Sequence, residues 1–113
     1  IDSFIDYYAT EIYIANIDWP YSNYAMWRST QKNKSGICKD NKWRYILYDL
    51  NVPKALRDYD IDMFEWTTTK DLLFSVLIRD EEIRTKLIKR LRQLENEVYK
   101  PSKVNKFIDE WFE

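Results

Sequence analysis

The sequence contains no histidine among its 113 residues. This absence excludes Ser-His-Asp and Cys-His nucleophile pairs and every metal site that depends on imidazole. Any catalysis must therefore use carboxylates, amides, lysine, arginine or tyrosine. The one cysteine, Cys38, cannot form an intrachain disulfide, and its polar surroundings (residues 31–42) predict a loop. The one glycine, Gly36, leaves no glycine-rich loop of the kind that cradles phosphate.

The chain also lacks a charge surplus and a long apolar run. Its 18 Lys and Arg nearly balance its 19 Asp and Glu, whereas a general nucleic-acid footprint needs a basic surplus. No apolar run reaches the roughly 18 residues of a transmembrane helix. We therefore expect neither a nucleic-acid partner nor a transmembrane segment. The chain starts at Ile1 and not at Met, so we expect residues 1–113 to be a single domain or a fragment of one.

The first half of the chain has one helical pattern and two strand-length runs. Apolar residues recur at helical spacing over residues 1–16, and Pro20 ends regular structure shortly afterwards. Residues 24–28 then have the length and apolar content of a short strand, and residues 43–48 form an aromatic and β-branched run of strand length. The sequence therefore predicts a helix followed by a small β-hairpin.

The second half carries three further helical patterns. Thr67, Thr68 and Thr69 are candidate caps for a helix that runs to Ile78. Asp80 is expected to open the second helix, and Ser102 to cap the third, after a break at Pro101. The residues expected to face the core are Leu72, Leu73, Val76 and Leu77, then Ile83, Leu87, Leu91 and Leu94, then Val104, Phe107, Ile108 and Trp111. The predicted fold is α+β and mostly helical, with a small β-hairpin followed by three helices.

Three oxygen-bearing side chains stand at the ends of these elements. Asp18 and Asn23 are five residues apart, and Asp49 ends the second strand-length run. Protein kinases space their catalytic Asp and a metal-binding Asn in the same way, with a second metal Asp after a hairpin. The His-Arg pair that precedes the kinase aspartate is missing, so the spacing alone leaves a local alternative open. In that alternative, Asp18 and Asn23 stabilise turns, and Asp49 pairs with Arg28 or Arg44.

Three motifs together resemble the spore coat protein H (CotH) family of atypical kinases. They are D-W-P at residues 18–20, N-x-x-x-W-R at residues 23–28 and K-W-R-x-I-L-Y-D at residues 42–49, and the leucine-rich stretch 72–107 is similar to the helical tail of the family. The resemblance implies that this chain is the C-terminal, catalytic lobe of a kinase-like domain. The activity it implies is phosphoryl transfer from ATP, with Mg²⁺ or Mn²⁺, to Ser or Thr of a protein substrate.

The resemblance also assigns roles to residues. Asp18 takes the catalytic position, Asn23 and Asp49 bind the cofactor and its metal, and Asn51 is a further metal ligand. Asn51 stands where family members often have a second acid, and the glycines common after that strand are absent from residues 52–55. The nucleotide-contacting lysine and covering strands of the family belong to an N-terminal part that this chain does not include. We therefore expect the fragment to be inactive alone and to need that part as a partner.

The resemblance leaves location and activity partly open. It implies a spore coat, secreted or cell-surface protein of a bacterium, whose partners are protein substrates or coat and surface proteins. One alternative is a non-catalytic assembly or interaction module that keeps the fold without the activity. Another is a helical interaction domain unrelated to kinases, in which Asp18, Asn23 and Asp49 would lie far apart.

Overall fold

Helix α1 (Asp2–Tyr13) is the central element, and later elements of the described part of the chain pack against it. The structure is a computed structural model, and it describes residues 1–30, 40–51 and 60–112. The elements after α1 are β1 (Ala25–Trp27), β2 (Arg44–Ile46), α2 (Met63–Lys70), α3 (Leu72–Leu77), α4 (Glu81–Gln93), a π-helical turn (Leu94–Val98) and α5 (Pro101–Phe112). The predicted α+β, mostly helical fold with a small hairpin is confirmed. The predicted loop at Cys38 lies outside the described residues.

The core lies between α1 and α4, with Trp19 and α3 at its sides. Tyr8 and Leu87 are fully buried, and Tyr8 stacks on Phe74 of α3 with ring centroids 5.3 Å apart. The inner face predicted for α4 is confirmed, since Leu87 and Leu94 are buried and Ile83 and Leu91 pack beside them. Aromatic pairs of this kind add about 0.5–1.5 kcal/mol each beyond the area that they bury.

Aspartates cap α2, α3 and α4, which confirms the prediction for Asp80 but not the threonine cap. Asp62, Asp71 and Asp80 are the N-caps of α2, α3 and α4, and each carboxylate accepts a hydrogen bond from a backbone N–H of the first turn. Thr67 lies inside α2, where its hydroxyl donates to the carbonyl of Met63 at 2.7 Å. The prediction of a threonine cap was wrong because a threonine can satisfy its hydroxyl within a helix, whereas Asp is a stronger cap.

Helix α3 packs against the core through Leu77, as predicted, but its most buried positions are not among those predicted. Phe74 and Ile78 are buried, whereas Leu72 is 80% exposed and Val76 is 53% exposed. The phase of this short helix follows from its cap, because the hydroxyl of Tyr8 donates to the second carboxylate oxygen of Asp71 at 2.6 Å. That contact places the start of α3 against α1, so Phe74 meets the aromatic core.

Helix α5 is amphipathic, but its apolar stripe is not buried. It begins at Pro101, a residue well suited to the first helical position, so Ser102 lies inside the helix and not at its cap. None of its described residues is buried, and the predicted inner residues Phe107 and Trp111 are 60% and 76% exposed. The π-helical turn after α4 breaks the continuity of the apolar face, so the stripe does not continue onto the core.

The hairpin lies on α1 through Tyr45. Strands β1 and β2 are antiparallel, and Met26 is the partner of Tyr45 in their register. The ring of Tyr45 stacks on that of Tyr7 at 4.7 Å, and its backbone N–H donates to the hydroxyl of Ser3 at 3.0 Å. Both strands are shorter than predicted. Their position against α1 brings the end of β2 towards the loop that follows α1.

Candidate functional site

The loop that carries Asp18 begins at a tight helix end. The backbone N–H of Ala15 donates to the carbonyl of Ile12 at 3.2 Å, and that of Asn16 donates to the carbonyl of Glu11 at 3.1 Å. This pair of bonds is the Schellman motif, which needs a left-handed residue at the first position after the cap. Ala15 occupies that position with φ 53°. The motif turns the chain into residues 16–23, called here the site loop.

A buried polar pair holds the start of the site loop. Glu11 and Asn16 are 0% and 1% exposed, and the amide of Asn16 donates to a carboxylate oxygen of Glu11 at 2.9 Å. Burial raises the pKa of Glu11 above its usual value, and the hydrogen bond from Asn16 opposes that rise. Asn16 is thereby fixed two residues before Asp18.

The other end of the site loop is held by Tyr7. Its hydroxyl donates to the backbone carbonyl of Asn23 at 3.0 Å. Burial and the nearby Glu11 raise the pKa of Tyr7, so this hydroxyl remains protonated and able to donate. The amide of Asn23 in turn donates to the backbone carbonyl of Asp49, in a long hydrogen bond of 3.4 Å. The structure therefore brings Asn23 and Asp49 together, although 26 residues separate them in sequence.

Asn23 and Asp49 share an unusual backbone conformation. Their φ angles are 63° and 55°, a region that Asn and Asp tolerate better than most residues because their short side chains can bond locally. The turn-stabilising role that the sequence analysis raised as an alternative for Asn23 is compatible with this conformation and stays a prediction. The contact between them joins the amide of Asn23 to the backbone carbonyl of Asp49, so the two residues lie next to each other.

Asp18 is exposed, whereas the residue after it is fully buried. Trp19 lies edge-on to the rings of Tyr7 and Tyr8, at 5.9 Å and 5.0 Å, and its carbonyl accepts from the indole N–H of Trp66 at 3.3 Å. Within the loop, the carbonyl of Asp18 accepts from the N–H of Ser22 at 2.9 Å. The carboxylate of Asp18 is therefore accessible to solvent, while the buried Trp19 next to it holds the loop against the core.

A cation from α2 lies beside the site loop. The ammonium of Lys70 is 5.6 Å from the ring of Tyr21 and 5.4 Å from the ring of Trp66, within the range of cation–π attraction. No sequence motif points to Lys70, because α2 reaches the loop only through the tertiary fold.

The two arginines considered as partners of Asp49 have other contacts. Arg44 forms an ion pair with Asp40 at 2.7 Å and holds the pKa of Asp40 down at about 2. The guanidinium of Arg28 lies 5.0 Å from the ring of Trp43. Of the nearby tryptophans, Trp19 is fully buried, whereas Trp43 is 55% exposed.

The oxygen donors of the site suit a metal ion shared with a nucleotide. Within residues 1–30, 40–51 and 60–112, no three acidic or cysteine side chains converge to hold a metal. Mg²⁺ commonly takes only one or two protein carboxylates and completes its shell with phosphate oxygens and water. Asp49 and the amide oxygen of Asn23 are hard ligands of that type. Asn51 is exposed at the edge of the described range, and its role as a ligand stays a prediction.

Comparison with known proteins supports the motifs. A family model described as CotH kinase protein matches residues 1–113, the whole chain. No curated protein and no solved structure matches it. No described helix is long and apolar enough to cross a membrane. The matched range includes the site loop, the hairpin and all the helices described above.

Proposed function

The chain belongs to the CotH kinase protein family, and from this membership we propose that it is the catalytic part of a protein kinase. The reaction is transfer of a phosphoryl group from ATP, with Mg²⁺ or Mn²⁺, to Ser or Thr hydroxyls of a protein. The contact between Asn23 and Asp49, at the end of the loop that carries Asp18, is the observation that carries the proposal. A kinase site requires these two residues to be neighbours, because both would bind the same metal.

Asp18 acts on the acceptor hydroxyl. Its carboxylate orients the Ser or Thr side chain and accepts its proton as the hydroxyl oxygen bonds to the γ-phosphorus and the bond to the bridging oxygen of ADP breaks. The exposure of Asp18 suits a substrate that arrives from outside the fold. The anchored backbone on either side suits a group that must be held in one position.

Asn23, Asp49 and Asn51 are the residues that would hold the metal. A metal held there would neutralise negative charge on the nucleotide phosphates. Asn23 contributes its amide oxygen, because its amide nitrogen donates to the backbone of Asp49. That hydrogen bond orients the amide and ties the two ligand-bearing turns to each other.

The second candidate function is a non-catalytic assembly module of a spore coat or cell surface. Two observations favour it: Asn51 takes the place of a second acid, and the apolar stripe of α5, with Phe107 and Trp111, is exposed to contact. In this role the fold would be kept for its surfaces, and the site loop would no longer bind nucleotide.

Phosphotransfer from labelled ATP separates the two functions. The assay uses the full-length protein with Mg²⁺ or Mn²⁺, the variants Asp18→Asn and Asp49→Ala, and the matched control Asp109→Asn on the exposed face of α5. We expect incorporation in the wild type and the control, and its loss in both site variants. A folded protein that neither incorporates phosphate nor binds Mg²⁺–ATP would establish the assembly module instead.

A further inference from the structure

A carboxylic acid is buried where the fold calls for an apolar residue. Glu11 follows Phe4 and Tyr8 along the buried face of α1, at the spacing of an amphipathic helix, and it is 0% exposed. Burying a carboxyl group is costly unless hydrogen bonds satisfy it. One oxygen accepts from Asn16, but the other, Oε1, has no hydrogen-bond partner among the described residues. The Tyr7 hydroxyl, one turn earlier on α1, lies close enough to lower the pKa of this carboxyl and so opposes part of the effect of burial.

Four buried side-chain atoms in the described part of the chain have no hydrogen-bond partner, and three of them lie around the start of the site loop. The fourth, Nε of Arg90, is ion-paired with Asp6 at 2.8 Å. Besides Oε1 of Glu11, the side-chain oxygen of Asn16 and the indole N–H of Trp19 are buried without a hydrogen-bond partner in the described part of the chain. Functional sites commonly retain groups that lower the stability of the fold. Since Asn16 and Trp19 flank Asp18 within three residues, the cost is concentrated at the proposed catalytic aspartate.

The side chains that hold the two ends of the site loop come from one face of α1. Glu11 binds Asn16 at the start, and Tyr7 binds the carbonyl of Asn23 at the end. Residues four apart in a helix lie on the same face, separated by a rise of roughly 6 Å. Two side chains one turn apart on a rigid element therefore close the ends of an eight-residue loop.

We propose that Glu11 is a positioning residue, which acts with Tyr7 to fix both ends of the site loop and thereby the place of Asp18 between them. The proposal rests on the proposed kinase function. It adds a residue that binds neither the nucleotide nor the metal and instead holds the loop that carries Asp18. Glu11 touches Asn16 and not the substrate, so its effect is carried through the backbone of the loop. A displacement of about 1 Å at a reacting group can lower a rate about 100-fold.

The positioning role of Glu11 is tested by measuring kcat and KM for ATP in variants of that residue. In the full-length protein, Glu11→Ala removes the acceptor for Asn16, whereas Glu11→Gln keeps an oxygen in its place. We expect Glu11→Ala to lower kcat about 100-fold, with KM for ATP nearly unchanged, and Glu11→Gln to restore most of kcat. Glu65→Ala, at an exposed position of α2, is the matched control and should leave both constants unchanged. Equal kcat per folded molecule in Glu11→Ala and wild type would overturn the proposal.

Tyr7→Phe keeps the test decisive if Glu11→Ala fails to fold. This variant removes one hydroxyl and keeps the ring that stacks on Tyr45. We expect it to lower kcat between about 10- and 100-fold, as is typical when a group that orients a ligand residue is lost. A Tyr7→Phe protein with the kcat of wild type would contradict the anchoring of the loop at Asn23.

Hydrogen exchange distinguishes failure of this proposal from failure of the kinase function. Amide exchange over residues 17–23 reports the anchoring of the loop without any catalysis, and we expect it to quicken in Tyr7→Phe and in a folded Glu11 variant but not in Glu65→Ala. Unchanged exchange in both site variants overturns the positioning role even in an active kinase. A wild-type protein that transfers no phosphate overturns the kinase function, and with it the catalytic meaning of the anchored loop.

Discussion

Replacing Ala15 by Gly should stabilise the protein, although Gly usually weakens a fold. Ala15 has φ 53° at the end of α1, and a Cβ atom in the left-handed region costs roughly 1–2 kcal/mol. Glycine removes this cost but adds about 0.4–1 kcal/mol of unfolded-chain entropy. The free energy of unfolding should therefore rise by roughly 0.5–1 kcal/mol, which for a chain of this size raises Tm by about 2–4 °C.

The same substitution at Ala9 is the matched control. Ala9 is fully buried in the middle of α1, so Ala9→Gly loses about 1 kcal/mol of helix propensity and about 0.8 kcal/mol for a buried methyl group. Thermal and urea unfolding, followed by circular dichroism, should show opposite signs for the two variants. A loss of stability in Ala15→Gly would refute the argument that the Schellman turn is strained by its side chain.

Two further predictions concern buried polar groups of α1. Tyr8→Phe removes the hydroxyl that donates to Asp71 at 2.6 Å, so the free energy of unfolding measured in urea should fall by about 1.5–3 kcal/mol. The control Tyr13→Phe, at an exposed position, should change little, and equal losses would contradict the reasoning. Burial raises the folded-state pKa of Glu11 above 4.5, so its protonated form favours folding below about pH 4.5, and that contribution is lost as pH rises through the folded pKa. The stability of Glu11→Gln relative to wild type should therefore increase with pH from about 4.5 upwards, and a gap that stays constant from pH 4 to 8 would sink the prediction.

The fold was predictable where one helix face meets a continuous core. The periodicity of α4 identified Leu87 and Leu94 correctly, because that helix is long enough for its apolar stripe to dominate. The same reasoning was wrong for α5 and, apart from Leu77, for α3. The phase of α3 depends on the hydrogen bond between Tyr8 and Asp71, and the course of α5 depends on the π-helical turn before it. Neither feature has a signal in local apolar spacing.

The candidate site was predictable from motifs only in part. Their spacing marked Asp18, Asn23 and Asp49, and the structure brings the last two into contact. The roles assigned to them remain proposals. The side chains beneath the loop were not identified, because Tyr7 and Glu11 reach it only after α1 and the loop have packed together. Glu11 had one signal that the sequence analysis did not use: a carboxylate on the apolar face of a helix.

The enclosure of Trp19 gives the protein an optical reporter of its own. An indole shielded from water emits at shorter wavelengths than one in solvent, and Trp19 is wholly shielded although it is bonded directly to the exposed Asp18. Trp111, at 76% exposure, contributes the opposite, red-shifted emission and can be replaced by Phe. Trp27, Trp43 and Trp66 also emit, so the fluorescence of Trp19 reports the state of the loop in a variant in which these three are replaced by Phe as well, with no label attached to the site.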